Sequence, residues 1–236
     1  MIAAIINALG IALGGTAGML LRSRINQKLV DGLMAAMGLV TIVIGVQSVV
    51  GSSNTLCTVL CLAFGVMIGQ TLHIDRFIDG IGDKAAGLFK GKKFAEGKFA
   101  EGVISASILF TVGAMAIMGS IDAGLRGDYS VLLTKTVMDT ISAAALSAAL
   151  GLGVVLSLVP VLVWEGLIIL LAGVLAPVLS AEVITEMTAV GGAIFIGMGL
   201  NLIGITDRKV NVPNLLPALL LPILYVPLAA WLGGLF

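Results

Sequence analysis

The length of its apolar runs constrains this chain more than any other feature. Eight windows, approximately 2–21, 32–50, 55–72, 102–120, 131–157, 159–179, 187–206 and 212–234, are long and apolar, and a membrane-crossing helix needs roughly 20 such residues. Lipid offers the backbone no hydrogen-bond partners, so only helices or closed barrels can span. Barrel strands alternate between lipid-facing and lumen-facing residues, and these runs do not alternate. The expected fold class is all-α: a polytopic helical membrane protein of about eight transmembrane helices in one integral membrane domain, 1–236. With 59% hydrophobic and 11% charged residues, against about 25% charged in soluble domains, the chain is neither a soluble enzyme nor a disordered tail. The first run follows Met1 directly, without a positive leader or a small-residue cleavage site, and reads as a retained helix.

Charge placement orients the helices. Thirteen Lys and Arg balance thirteen Asp and Glu, which leaves no basic excess for nucleic acid. Arg22, Arg24 and Lys28, six cations between 76 and 98, and Arg208 and Lys209 all fall on one side of an eight-helix path, while the other side holds only Arg126 and Lys135. The positive-inside rule makes the first side cytoplasmic, and both termini then lie outside.

An internal repeat is also expected. Residues 7–25 overlay 165–183, and MGLVTIVIGV at 37–46 overlays IGMGLNLIGI at 196–205, pairing Gly38 with Gly197 and Gly45 with Gly204; the third helices begin at Asn54 and Asn214. The connection in the first copy, LRSRINQKL, is basic, whereas its counterpart, LSAEVITEM, is acidic. Opposite charge in equivalent loops is what an inverted-topology repeat requires, an architecture common in secondary transporters. Repeat 1 covers about 2–72 and repeat 2 about 159–234, with helices 4 and 5 at about 102–157. Between them, about 73–101, Ile74, Phe77, Ile78 and Ile81 recur at helical spacing before a Lys-rich stretch. That pattern fits an amphipathic connector at the cytoplasmic interface.

Ionisable residues inside hydrocarbon are functional candidates by default. Asp139 lies about 12 Å into the fifth run at 1.5 Å per residue, with Lys135 one turn before it and able to form an i, i+4 pair. Glu165 lies in the sixth run beside Trp164 with no cation near it in sequence, and Asn7 is its counterpart in the repeat. Asn201 and Asn214 add amide groups. Together Asp139, Lys135, Asn201, Asn214, Asn7 and Glu165 form the expected polar wall of a pathway. Gly14 with Gly18, and Gly65 with Gly69, have the spacing that lets helices approach closely. The glycines at 191, 192, 197 and 199 either pack the seventh helix or loosen it, and Pro213, Pro217, Pro222 and Pro227 should kink or break the eighth. Cys57 and Cys61 read as small apolar fillers. The lone His73 makes no metal site, and no catalytic constellation or cofactor motif is present, so no enzyme activity and no cofactor are expected.

GAMAIMGSIDAGLRGDYSVLLTKTVMD at 113–139, AVGGAIFIGMGLNLIGI at 189–205 and VNVPNLLPALL at 210–220 resemble the bacterial inner-membrane family typified by YdfK and YqgA. The opening INALGIALGGTAGMLLRSRI and the stretch FAEGVISASILFTVGAMAIMG also fit, so the resemblance covers nearly the whole chain. It implies a multi-pass protein of the bacterial cytoplasmic membrane and supplies no substrate. The positions it carries over are Gly127, Asp128, Tyr129, Lys135, Asp139, Asn201 and Asn214. In the family pattern position 165 commonly holds glutamine, which shifts weight from Glu165 to Asp139 and the asparagines.

The leading expectation is a transporter or channel for a small solute or ion, with the lipid bilayer as its other partner. The alternative is a non-transporting scaffold or regulatory subunit whose polar residues only fasten helices. Small-residue faces also permit a homo-oligomer without fixing its stoichiometry.

Overall fold

Glycine, 31 residues of the chain, sets the helix crossings in a computed structural model that describes residues 1–22, 27–77, 80, 99–205 and 208–233. The described secondary structure is helical: α1 (Ile2–Arg22), α2 (Gln27–Val50), α3 (Thr55–Thr71), α4 (Phe99–Thr111), α5 (Ala114–Leu125), α6 (Ser130–Leu150), α7 (Leu152–Leu156), α8 (Leu158–Leu170), α9 (Ala172–Leu175), α10 (Ala181–Ile203), α11 (Val212–Leu215), a 3₁₀ turn (Leu216–Leu220) and α12 (Pro222–Gly233). Four stretches are long and apolar enough to cross a membrane, Ile2–Leu21, Ser130–Leu150, Leu152–Leu170 and Ala181–Ile203; counting each of two bent pairs as one span makes six. Met34–Val50 and Thr55–Thr71 are shorter apolar helices. The Lys-rich part of the expected connector, 81–98, lies outside the described residues.

Lipid provides no hydrophobic drive to press one helix on another, so close backbone contact through small residues does that work. The pairs α1–α6 and α2–α10 are the most extensive. A Cβ on Gly14 would sit 2.1 Å from the Thr140 carbonyl oxygen, and one on Gly18 would sit 2.0 Å from that of Ala144. Residue numbers rise together along this contact, so α1 and α6 run the same way. In α2–α10 the contacts are reciprocal. A Cβ on Gly38 would meet the Gly199 carbonyl oxygen at 2.8 Å and one on Gly199 that of Gly38 at 2.6 Å, while Gly45 and Gly192 meet each other's at 2.6 Å. Here the helices run antiparallel. Gly192 and Gly199 therefore pack α10, which stays continuous from Ala181 to Ile203 and ends at Gly204 in the left-handed region. Gly65 lies against Ala218 and Gly69 against the Asn214 backbone, joining α3 to α11 and the 3₁₀ turn that follows it.

Two boundaries differ from the sequence reading. Helix 4, expected as one run over 102–120, is broken: the pair Glu101–Thr111 and Met115–Leu125 is bent by 59°. Gly113 has φ +140°, a conformation that side chains rarely adopt. Leading into it, the hydroxyls of Ser107 and Thr111 bond back to the Val103 and Ser107 carbonyls, a habit that bends helices. The second shift concerns helices 5 and 6, expected to meet near Ser157–Pro160. They part instead at Gly151, φ +82°. Pro160 sits in the first turn of α8, where its missing N–H removes no helical bond, so it opens a helix rather than closing one. The eighth run breaks as its prolines require, by 41° between Val212–Leu220 and Pro222–Trp231.

Candidate functional site

Burial of charge selects the site. Lys135 and Asp139 lie one turn apart on α6, and their side chains form an ion pair while both residues stay under 8% exposed. The Lys135 ammonium also lies 3.4 Å from Glu165 Oε1 of α8. Asn7 of α1 joins them: its Nδ2 donates to Asp139 Oδ2 at 3.0 Å and to Glu165 Oε1 at 2.8 Å. Asn7 and Glu165 are fully buried. Asn7 lies five residues from the start of α1 and Glu165 five from the end of α8, which puts both near one end of the bundle. The α1–α6 glycine contact is what brings Asn7 within reach of α6. Thr136 and Thr140, on the same side of α6, stay out of the cluster, their hydroxyls donating to the Leu132 and Thr136 carbonyls.

The cluster borders a cavity of about 290 Å³. Its walls come from α2 (Met37, Thr41, Ser48), the break at Val112 and Gly113, α6 (Lys135, Met138, Asp139, Ser142) and α10 (Thr188, Phe195). A broken helix ends with carbonyls and begins with amides that lack helical partners, and here that break faces the ion pair across the cavity. Such an arrangement can hold a small polar or charged species in an otherwise apolar interior.

The other two predicted residues lie elsewhere. Asn201 brackets the α10–α11 loop: its Nδ2 donates to the Val210 carbonyl at 2.8 Å, and its Oδ1 accepts from the Val210 N–H at 2.9 Å. Asn214 Oδ1 accepts from the Asp75 N–H at 3.0 Å, and Asn211 Nδ2 donates to the Asp75 carboxylate. The six candidates thus split into a buried cluster and a polar clasp. Asn201 lines a second cleft of about 350 Å³, with Asp75, Glu101 and Lys209 on its walls. Lys209 reaches Glu101 at 3.7 Å. The Asn211 amide, with the Arg76 N–H, holds the Asp75 carboxyl below the usual carboxylate range. Asn211 rather than Asn214 caps α11, just as Asn54 caps α3.

A third buried carboxylate escaped the sequence reading. Glu186, assigned to an acidic connection, lies within α10 and is fully buried. Its Oε2 accepts from the Ser52 hydroxyl at 2.7 Å, and its Oε1 accepts from the Ser53 N–H and hydroxyl and the Asn54 N–H. The missed signal was Ser180, whose hydroxyl caps α10 by accepting from the Val183 N–H and so starts the helix at Ala181. Glu186→Gln replaces one of the two acceptor oxygens by an amide nitrogen, which can only donate and so faces a donor of the Ser52–Asn54 segment. A destabilisation of about 1–3 kcal/mol is expected in denaturant unfolding of the purified protein, and wild-type stability would contradict the latch.

Of the motif Gly127-Asp128-Tyr129, Gly127 takes φ +66° and Asp128 accepts from the Ser130 N–H and hydroxyl. Those two bonds keep the Asp128 carboxyl below its usual range. The motif thereby fixes where α6 starts and the phase at which Lys135 and Asp139 face inward. Cys57 and Cys61 are buried and free, with their sulfurs 3.8 Å apart. Among the described residues no group of three or more His, Cys, Asp or Glu is arranged to hold a metal ion.

No solved structure matches the chain. Among curated proteins it is 30% identical over 226 residues to "Uncharacterized membrane protein YdfK" of Bacillus subtilis (strain 168), covering 94% of each chain. It is 31% identical over 229 residues to "Uncharacterized protein YqgA" of Escherichia coli (strain K12), covering 96% of this chain and 95% of the relative. The family model described as "Protein of unknown function (DUF554)" matches residues 2–227. Helices of spanning length, a buried charge cluster and this end-to-end match lead to one conclusion: the chain is a membrane protein and belongs to the DUF554 family.

Proposed function

We propose that the protein is a transporter or channel, not an enzyme, that moves a small solute or ion across the bacterial cytoplasmic membrane. The pathway passes through the cavity beside Lys135 and Asp139. The observation that carries this reading is the break at Gly113 opening onto a buried ion pair, because a merely structural pair needs neither a cavity nor a discontinuous helix. In this reading the chain crosses eight times, with helices 4 and 8 each broken and both termini outside. The inverted repeat is supported by the reciprocal contacts of Gly38 with Gly199 and Gly45 with Gly192. An axis exchanging α2 and α10 then equates Gly38 with Gly192 and Gly45 with Gly199, a different register from the sequence overlay. The latch of Glu186 on Ser52–Asn54 and the clasp of Asp75 on Asn211 and Asn214 join the two halves at opposite ends of α3.

The competing reading is a scaffold in which Lys135, Asp139, Glu165 and Asn7 only fasten helices. It is favoured by the directness of the Lys135–Asp139 pair, and cysteine accessibility separates the two. In a Cys57→Ala/Cys61→Ala background, Ser142→Cys places a thiol on the cavity wall beside Asp139. A membrane-impermeant methanethiosulfonate reagent should label it in sealed vesicles from one face, and Asp139→Asn should change the labelling rate at least severalfold. A thiol that stays unreactive from both faces would count for the scaffold and against a pathway.

A further inference from the structure

One cation faces two carboxylates in the buried cluster, since Lys135 is shared by Asp139 and Glu165. With all three ionised, one negative charge is left over among buried residues, a severe penalty in a membrane interior. Two polar atoms of the cluster lack any hydrogen-bond partner among the described residues: Glu165 Oε2 and Asn7 Oδ1. Both belong to fully buried residues, and both are acceptors when Glu165 is ionised. Asn7 uses its amide nitrogen on Glu165 Oε1 at 2.8 Å and on Asp139 Oδ2 at 3.0 Å, so its carbonyl oxygen is the atom left over. A neutral carboxyl group and a primary amide form a two-bond ring in which N–H donates to C=O and O–H donates to the amide oxygen. The Asn7–Glu165 contact contains the first of these bonds, and the two orphaned oxygens are the atoms of the second.

We propose that the cluster of Asn7, Lys135, Asp139 and Glu165 binds one exchangeable proton, carried on Glu165 Oε2. Uptake forms one O–H bond and removes the excess negative charge, and it turns an orphaned acceptor into a donor for Asn7. Release leaves a carboxylate that must share Lys135 with Asp139. Binding and release therefore alter how strongly Lys135 is held to Asp139, at the wall of the cavity. The charged groups nearest Glu165 are Lys135 and Asp139, both from α6. From α1 come Asn7 and the Met1 side chain, which lies against Gly166. The charges of α4 and α5 are engaged elsewhere, Glu101 with Lys209 and Asp122 with Arg126. The proposal deepens the transport reading by naming a proton as the ion its site takes, and rests on that reading for the route by which the proton arrives.

Infrared spectroscopy of the full chain in lipid nanodiscs, in H₂O and D₂O and across a pH series, tests it. The wild-type protein should show a protonated-carboxyl carbonyl band at neutral pH that shifts on deuteration and fades as pH rises. Glu165→Gln, which keeps an amide able to complete the ring with Asn7 and should fold, should abolish the band. Asp139→Asn leaves one carboxylate to one lysine, and the Glu165 proton should then be lost at lower pH. The proposal is overturned by absence of the band in the wild type or its persistence in Glu165→Gln, and equally by a band that neither exchanges nor titrates. If the band behaves as expected while the Ser142→Cys thiol stays unreactive from both faces, the proton site stands and the transport reading fails. If the thiol is labelled and the band is absent, the pathway stands and the proton site fails.

Discussion

Lys135→Ala is expected to be the most damaging single substitution in this protein. It leaves the buried Asp139 and Glu165 beside each other, bridged only by Asn7, with their shared cation gone. Removing one partner of a buried ion pair typically costs about 3–5 kcal/mol, because the stranded charge remains. Thermal or denaturant unfolding in detergent should show a correspondingly large loss, together with reduced yield. A double variant, Lys135→Met/Asp139→Leu, removes charges of both signs and fills similar volume. It should be more stable than Lys135→Ala, since replacing a whole buried pair by apolar groups is often neutral. If Lys135→Ala unfolds like the wild type, the cluster is hydrated and the electrostatic argument fails.

The second large effect is expected at the α1–α6 crossing. A methyl group added at Gly14 or Gly18 would lie 2.1 or 2.0 Å from a backbone carbonyl oxygen of α6, and the backbone cannot rotate aside as a side chain can. Accommodating it means moving the helices apart along their whole contact. Overpacking costs typically about 1–3 kcal/mol for each site, and Gly14→Ala/Gly18→Ala should exceed either single change. The more specific expectation concerns the site. Separating α1 from α6 withdraws Asn7 from Asp139 and Glu165, so the double variant should also shift the frequency of the protonated-carboxyl band attributed to Glu165, whose amide partner is lost. Gly32→Ala is the control, since nothing lies within 4 Å of a Cβ there, and it should keep or raise stability, by up to about 1 kcal/mol, through better helix propensity. Equal losses at Gly14 and Gly32 would show that the crossing does not set the cost, because helix propensity favours alanine at both positions.

Part of this architecture is legible in the residues themselves. Long apolar runs leave a chain no way to satisfy its backbone in lipid except by helix, so the all-helical membrane class follows from local composition. The spacing of Lys135 and Asp139 on one helix face follows from 3.6 residues per turn, and the break in the eighth run follows from proline chemistry. The boundary between the fifth and sixth runs was misplaced because Gly151 sits in an unbroken apolar stretch, and a glycine does not announce in sequence that it will take a positive φ. Glu186 was missed because an acid near the end of an apolar run reads as a loop until the Ser180 cap extends the helix around it.

The rest depends on partners distant in the chain. That Gly38 meets Gly199, or Gly14 meets Thr140, is a property of two helices together, because a small residue marks a face fit for close approach without naming what approaches. The same holds for charge. The sequence by itself determined that Glu165 lacks a cation in its own helix and that Asn201 and Asn214 are polar in apolar surroundings. Only the tertiary structure decided that Glu165 shares Lys135 with Asp139 across Asn7, while the two asparagines clasp loops outside that cluster. Hydrogen bonds and ion pairs act over a few ångströms, so the arrangement of helices, and not the order of residues, selects which polar groups form the site.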